Sequence, residues 1–256
     1  MSKSYSEYCK PECAEILKLH EDGVITWYPW VGVDYKKGGL MVVGESNYAQ
    51  QCMGDTPEKA CKAVDDNVNF TKDMVMRFSI SRERGNRTFT GISKVLCDGA
   101  LLAKNNIVDI GRSVWRQVAY MDIIQKTMRG SLDKNKTIPK AWEPYINKPS
   151  ERPSKELWKP GWSAVLKVIE ILKPSAILFV GSGVADHCNN EFLPQGYNGI
   201  MRKERIGKVR ALWREGTLTL SRGKRIKFCA IPNPGSRCGF NYNDWRERVR
   251  RCCVVQ

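Results

Sequence analysis

The stretch GLMVVGESNYAQQ, residues 39–51, decides how the chain can fold. Its apolar run from Leu40 to Val43 predicts a buried strand that ends at Gly44. Four side chains that can bind or stack follow at once, and they are Glu45, Ser46, Asn47 and Tyr48. Polar residues often do no more than form the turn after a strand. In α/β folds, however, such residues also project from the carboxyl edge of a parallel sheet, where ligands bind.

The composition predicts a globular chain with a large surplus of positive charge. Hydrophobic residues make up 42% of the 256 residues, so we expect a packed core rather than disorder. Lys and Arg number 42 against 27 Asp and Glu, and the resulting charge of +15 attracts polyanions, usually nucleic acid. No long apolar run or basic amphipathic helix indicates a membrane, and the amino terminus lacks the apolar core of a signal peptide. We therefore expect a cytoplasmic protein without a membrane partner and with no evident protein partner.

The ten cysteines do not predict a disulfide framework, because no signal peptide precedes them. The chain has two histidines, His20 and His187, and no CxxC pair. We therefore expect no metal and no cofactor, and most cysteines should be small buried hydrophobic residues.

The order of the predicted elements is that of an α/β protein. Amphipathic patterns predict helices, which we place at 7–22, 56–78, about 90–104, 155–174 and 242–253. Apolar runs predict strands between them, and residues 129–155 are expected to form a long ordered loop. Strands that alternate with helices indicate a parallel sheet covered on both faces. We expect one domain over residues 1–256, with a helical and aromatic extension at 1–37 packed on it.

Three segments share one pattern: LMVVGESNY, ILFVGSGVADH and KFCAIPNPGSR each lead from a buried strand into a polar loop with glycine or proline. A fourth segment, VAYMDIIQ, places Asp122 inside an apolar run. A buried carboxylate without a partner is costly, so Asp122 needs a ligand or an ion-pair partner such as Arg112 or Arg116.

In their order and spacing these four segments resemble the uracil-DNA glycosylase superfamily, over about residues 38–250. The resemblance implies a three-layer α/β/α sandwich around a central, mainly parallel four-stranded sheet. It also implies a DNA glycosylase, which hydrolyses the base–sugar bond of a flipped base without a metal. Three positions depart from the family pattern: Asn233 stands where many relatives have His, Asp122 where most have Asn, and Asn47 where Pro is usual. These departures predict a substrate other than plain uracil.

The resemblance and the residue chemistry together assign candidate catalytic roles. Glu45 can stabilise positive charge on the sugar and activate water, and Asn47 is a second candidate for holding that water. Asn233 can donate a hydrogen bond to the base carbonyl as negative charge develops there. The structural alternatives are a capping role for Glu45 and a turn role for Asn233.

The candidate base-binding residues are Ser46, Tyr48 and Asp122. Tyr48 can stack on the base, although packing over the loop is an equally simple role. The carboxylate of Asp122 can accept from the exocyclic amine of cytosine, which predicts a cytosine-type, modified base. Glycosylases that remove modified bases from invading DNA act in phage defence, and this chain is expected to resemble them.

Further candidates concern the DNA backbone. Gly181, Ser182 and Gly183 can offer backbone N–H groups to a phosphate, and Ser236 and Arg237 can contact a phosphate or enter the base stack. The basic region 202–227, with Trp213, can form a DNA-facing surface or only a solvated hairpin face.

Two rival functions remain open from the sequence. A catalytically silent protein that binds modified or damaged DNA could use the same scaffold, because Asn233 and Asp122 also fit a decayed active site. An enzyme acting on free nucleotides is the other rival, although small substrates do not require a charge of +15.

Overall fold

A mixed sheet with helices on both faces forms the fold in the computed structural model. The structure describes residues 5–82, 85–104, 106–132, 137–205, 212–235 and 240–253, except for the side chain of Leu101. The strands are β1 (Trp30–Val31), β2 (Leu40–Ala49), β3 (Ala119–Arg129), β4 (Ala176–Val180), β5 (Asn198–Arg205), β6 (Leu212–Thr219) and β7 (Arg225–Ile231). The helices are α1 (Ala14–Glu21), α2 (Pro57–Asp65), α3 (Phe70–Val75), α4 (Arg87–Leu96), α5 (Gly99–Lys104), α6 (Ile107–Gln117), α7 (Lys155–Leu172), α8 (Ser182–Asp186) and α9 (Tyr242–Cys252). The predicted α/β class is confirmed.

The sheet has seven strands among the described residues, in the order β1-β3-β2-β4-β7-β6-β5. The four central strands, β3, β2, β4 and β7, run parallel to one another. Strands β1, β6 and β5 are antiparallel to their neighbours at the two edges. The predicted four-stranded sheet was therefore wrong in size. Strand β5 escaped prediction because most of its residues are exposed and polar, so it carries no apolar run.

The register aligns the ends of β4 and β7 with the middle of β2 and β3. Gly44 on β2 lies opposite Asp122 on β3, and Val43 on β2 lies opposite Phe179 on β4. On the other side of β4, Val180 lies opposite Ile231 of β7. Segments 181–183 and 232–235 leave the sheet after this row, as predicted, whereas β2 and β3 continue past it to Ala49 and Arg129, so the prediction that the first strand ends at Gly44 was wrong.

Alternating residues of the central strands supply two hydrophobic cores. Met41 and Val43 of β2 pack on the face covered by α7, whereas Leu40 and Val42 pack on the opposite face. That opposite face is covered by α4, α6 and α9. Burial on both faces explains why these strands read as continuous apolar runs rather than alternating ones.

Helix α7 lies unusually close to the sheet because Gly161 has no side chain. A Cβ atom at Gly161 would lie 2.5 Å from the backbone oxygen of Ile123 on β3. On the same helix, Trp158 and Trp162 are buried against the sheet core. The glycine therefore sets the distance between helix and sheet at which these indoles pack.

We expect Gly161→Ala to lower the free energy of unfolding by about 1–3 kcal/mol, because the backbone of β3 must shift to admit the methyl group. Gly85→Ala is the matched control, since a Cβ there meets no atom within 4 Å. Denaturant unfolding of both variants measures the effect. Equal stabilities of the two variants would contradict the close helix–sheet contact.

The amino-terminal helix is shorter than the predicted 7–22. It begins at Ala14, because Pro11 precedes it and Cys9 is held in a β-bridge to Gly32. The predicted loop 129–155 contains a 3-10 turn, Lys140–Tyr145, and its residues 133–136 lie outside the described part. Each helix among the described residues is too short or too polar to cross a bilayer.

Candidate functional site

Gly44 lets two strands bring polar side chains together at the row described above. A Cβ atom at Gly44 would lie 2.2 Å from Oδ1 of Asp122 and 2.7 Å from the Tyr120 hydroxyl oxygen. The Tyr120 hydroxyl donates to Oδ1 of Asp122 at 2.9 Å. Any side chain at position 44 would displace this pair, which gives a physical reason for glycine at the end of the apolar run.

Asp122 is a buried carboxyl with one unpartnered oxygen. It is 3% exposed, and its Oδ2 makes no hydrogen bond to the described residues. Burial raises the pKa of Asp122 to about 7, the Tyr120 hydroxyl opposes that rise, and the charge of Glu45 adds to it. A buried polar atom left without a partner is rare and usually has a functional reason.

The ion-pair alternative for Asp122 was wrong. Arg116 pairs with Asp34 at 2.7 Å, and Arg112 donates to the backbone oxygen of Ile80 at 3.3 Å. Both arginines thus lie in other contacts, and the recorded partner of Asp122 is Tyr120. No cation among these residues neutralises the carboxyl.

The raised pKa of Asp122 predicts a specific pH dependence of stability. As the pH rises from about 3.8 to about 7, the unfolded chain ionises at this position while the folded chain keeps its proton. The protonated Asp122 side chain therefore contributes its full stabilisation of the fold below about pH 3.8. This contribution is lost as the pH rises to about 7, which lowers the free energy of unfolding by about 4 kcal/mol at most. We expect the free energy of unfolding of wild type, measured against Asp122→Asn, to fall between these pH values. A difference between the two proteins that is constant from pH 4 to pH 8 would contradict the raised pKa.

Glu45 lies between Tyr48 and the turn after β4. The Tyr48 hydroxyl donates to Oε1 of Glu45 at 3.1 Å, and burial raises the pKa of Tyr48 to about 12. Oε2 of Glu45 lies 3.3 Å from the position that a Cβ on Gly183 would take. The capping role considered for Glu45 is not seen among the described residues, and a neutral donor, the Tyr48 hydroxyl, holds its carboxylate on strand β2.

Asn47 supplies a buried donor on the same strand. It is 6% exposed, and its Nδ2 has no hydrogen-bond partner within the described part of the chain. Ser46 pairs with Ile124 on β3, and its hydroxyl oxygen is also buried. The pairing of β2 with β3 shifts register between Ser46 and Tyr48, so Asn47 lies at an irregularity where the strict alternation of side chains is interrupted.

Asn233 sits in a turn at the end of β7. Its Oδ1 accepts from the Thr88 hydroxyl at 2.9 Å and from the backbone N–H of Gly235 at 2.8 Å. Close packing holds this turn on α4, because a Cβ at Gly91 would lie 2.3 Å from the ring of Pro234. The turn role considered from the sequence is present, and it leaves Nδ2 of Asn233 as the donor that can face a ligand.

The glycine turn after β4 lies at the same edge. Gly181 has a φ of +113°, which favours glycine, and its N–H donates to the oxygen of Ile231 at 2.9 Å. Ser182 begins α8, which has only five residues and therefore a weak dipole. The predicted phosphate contact of residues 181–183 stays a prediction, and Ser236 and Arg237 lie outside the described residues.

One expectation for the basic region 202–227 was wrong. Trp213 does not face outward, because it is 1% exposed and its Nε1 donates to Glu215 at 2.7 Å. Arg214 is also nearly buried and pairs with Asp186 at 2.9 Å, and Lys203 pairs with the same carboxylate. Arg202, Lys203 and Arg214 are thus paired with carboxylates, whereas residues 206–211 lie outside the described part and a DNA-facing surface stays a prediction. The turn after Thr219 lies at the opposite edge of the sheet.

Tyr120 and Thr88 are site residues that the sequence reasoning missed. Tyr120 stands two positions before Asp122, and residues with that spacing on a strand share a face, so the segment YMD carried a usable signal. Thr88 follows the helix-capping residue Asn86 and gave no such signal, because its contact with Asn233 joins residues far apart in the sequence.

Comparison of the chain with protein-family models and with curated proteins finds no match. Function must therefore be argued from this edge of the sheet and its chemistry alone.

Proposed function

We propose that the protein is a DNA glycosylase that hydrolyses the bond between deoxyribose and a modified, cytosine-type base. The main support is a set of polar groups on the paired strands β2 and β3: Nδ2 of Asn47 and Oδ2 of Asp122 are buried without partners among the described residues, and the charge of Glu45 acts on Asp122. Unsatisfied buried polar groups are expected where a ligand supplies the missing partner. A donor, an acceptor and a carboxylate are the groups needed to hold a water and a base.

In this proposal Glu45 and Asn47 act on the water and the sugar. The bond from C1′ to the base breaks with its electron pair leaving on the base, and the sugar becomes oxocarbenium-like. The Glu45 carboxylate stabilises that positive charge and accepts a proton from the water, whose oxygen bonds to C1′. Nδ2 of Asn47 donates to the water oxygen, and the Tyr48 hydroxyl orients Glu45.

Asn233 acts on the leaving base. Its Oδ1 is fixed by Thr88 and Gly235, so the amide plane is held and Nδ2 is the donor that remains. A hydrogen bond from Nδ2 to the base carbonyl strengthens as negative charge collects there, and the departing base then takes up a proton. The sum of the steps consumes one water and yields a free base and an abasic site.

Asp122 selects the base in this proposal. Oδ1 is occupied by Tyr120, so Oδ2 is the atom that would meet the base edge. When ionised, Oδ2 can only accept, which suits the exocyclic amine of a cytosine derivative and disfavours the carbonyl of uracil. Removal of modified cytosines from invading DNA would place the protein in anti-phage defence.

Binding to DNA should depend on positively charged side chains near Asn233. Arg87 is exposed, stands next to Thr88 in the contact with Asn233, and forms no ion pair with the described residues. Its position would let it meet a phosphate beside the flipped nucleotide.

We expect the affinity for DNA to fall steeply and linearly on a log–log plot against salt, because cations released from the phosphates drive binding. Arg87→Gln should reduce the magnitude of the slope, that of log K for binding against log salt concentration, by about 1. Arg222→Gln is the matched control, since Arg222 is exposed in the turn at the opposite edge of the sheet. An affinity that is flat with salt, or equal effects of the two variants, would count against this binding face.

A silent binder of modified or damaged DNA is the second candidate function. Two observations favour it: Asp122 is 3% exposed, and the oxygen of Asn233 is committed to a turn. Alkali treatment separates the candidates, because a glycosylase leaves abasic sites that cleave in alkali, whereas a binder gives only a mobility shift.

A further inference from the structure

Three cysteine side chains meet on the face of the sheet covered by α9. Cys229 lies on β7, while Cys252 and Cys253 lie at the end of α9. Their Sγ atoms all lie within 4.8 Å of one another, and those of Cys229 and Cys253 are 3.4 Å apart. Cys229 and Cys253 are 0% and 1% exposed, and Cys252 is half-buried.

We propose that Cys229, Cys252 and Cys253 bind a single soft, thiophilic metal ion. A metal–thiolate bond is about 2.3 Å long, so three sulfur ligands in a plane around one ion lie about 4.0 Å apart. The separation of 3.4 Å between Cys229 and Cys253 and the upper limit of 4.8 Å for every pair are compatible with this geometry. Two distant parts of the sequence converge here, which explains why cysteine spacing alone did not predict the site.

The ligand set favours a monovalent ion such as copper(I). All three ligands are sulfur atoms, which soft ions prefer, and the site as described offers three ligands rather than the four of structural zinc sites. One open side at the half-buried Cys252 gives the ion a way in.

Ion binding would release thiol protons, because the thiolate is the form of cysteine that binds a metal. The bound ion would join the last turn of α9 to β7 and stabilise the packing of the helix on the sheet.

Titration of the reduced, full-length protein with copper(I) under anaerobic conditions tests this site. We expect one ion per chain and, at about 100-fold excess over Kd, a rise in Tm of about 5–10 °C. Cys252→Ser should weaken binding by about 100-fold or more, because it removes a direct ligand. It is the preferred variant, since a half-buried position tolerates serine better than Cys229 or Cys253 does.

Cys97→Ser is the matched control, because Cys97 is a buried thiol on a different helix end. It should leave the affinity and the Tm shift as in wild type. The proposal would be overturned if Cys252→Ser bound copper(I) as tightly as wild type does. It would also be overturned if copper(I) did not raise the Tm of wild type. Neither outcome depends on whether the protein cleaves DNA.

Discussion

Glu45→Gln is expected to slow base release by about 10²-fold or more while leaving DNA affinity nearly unchanged. The substitution keeps an oxygen that can accept from the Tyr48 hydroxyl, so the side chain should stay in place. It removes the negative charge that would stabilise the oxocarbenium-like sugar and accept the proton of the water. Single-turnover release of the base measures the chemical step apart from binding.

Glu204→Gln is the control for this variant. Glu204 lies exposed on edge strand β5, and the change also raises the net charge by one. It should therefore reproduce any general gain in DNA affinity without slowing chemistry. Full activity of Glu45→Gln would remove Glu45 from the mechanism and make Asn47 the residue that holds the water.

Asp122→Asn is expected to lower activity on a modified cytosine by about 5- to 150-fold, which corresponds to about 1–3 kcal/mol for a mispaired buried group. Tyr120 fixes Oδ1 as an acceptor, so the new amide nitrogen takes the place of Oδ2 and presents a donor to the amine of the base. The same donor suits a carbonyl, so the variant should gain weak activity on uracil. Release of both bases by wild type and variant measures the exchange. If wild type releases uracil and Asp122→Asn releases it equally well, Asp122 does not select the base.

The titration of Asp122 should also make activity depend on pH. Burial raises the pKa of Asp122 to about 7, so Oδ2 becomes an acceptor as the pH rises through that value. For wild type, kcat/KM on a modified cytosine should rise about tenfold per pH unit below pH 7 and level off above it. Asp122→Asn should lack this dependence, because its amide does not titrate.

The carboxyl edge could be predicted because its signals are local. Leu40 to Val43 read as a strand buried on both faces, and a polar cluster directly follows each such apolar run, although Glu45–Tyr48 still belong to β2. Parallel pairing then brings separate strand ends together, as the pairing of Gly44 with Asp122 and of Val180 with Ile231 confirms. A local pattern and a topological rule were therefore sufficient for this part of the fold.

Other features depend on contacts between distant residues, and the sequence carried no local signal for them. Trp213 looked like an exposed aromatic among basic residues, but it packs near Trp245 of α9, with ring centroids 6.4 Å apart. Arg214, within the basic region 202–227, is neutralised by Asp186 from a different element. The three clustered thiols of β7 and α9 likewise meet only after the sheet has formed.

The most direct test of the proposed function is to identify the base that the protein releases. Duplexes that differ only in one base, a modified cytosine, cytosine or uracil, are incubated with wild type and with Glu45→Gln, and free bases are identified by mass spectrometry. The proposal predicts that wild type releases the modified cytosine and leaves an alkali-labile site in equal amount. Glu45→Gln should release the same base about 10²-fold more slowly. If wild type binds all three duplexes in a salt-dependent manner but releases no base from any, the protein is a DNA binder and the glycosylase proposal is wrong.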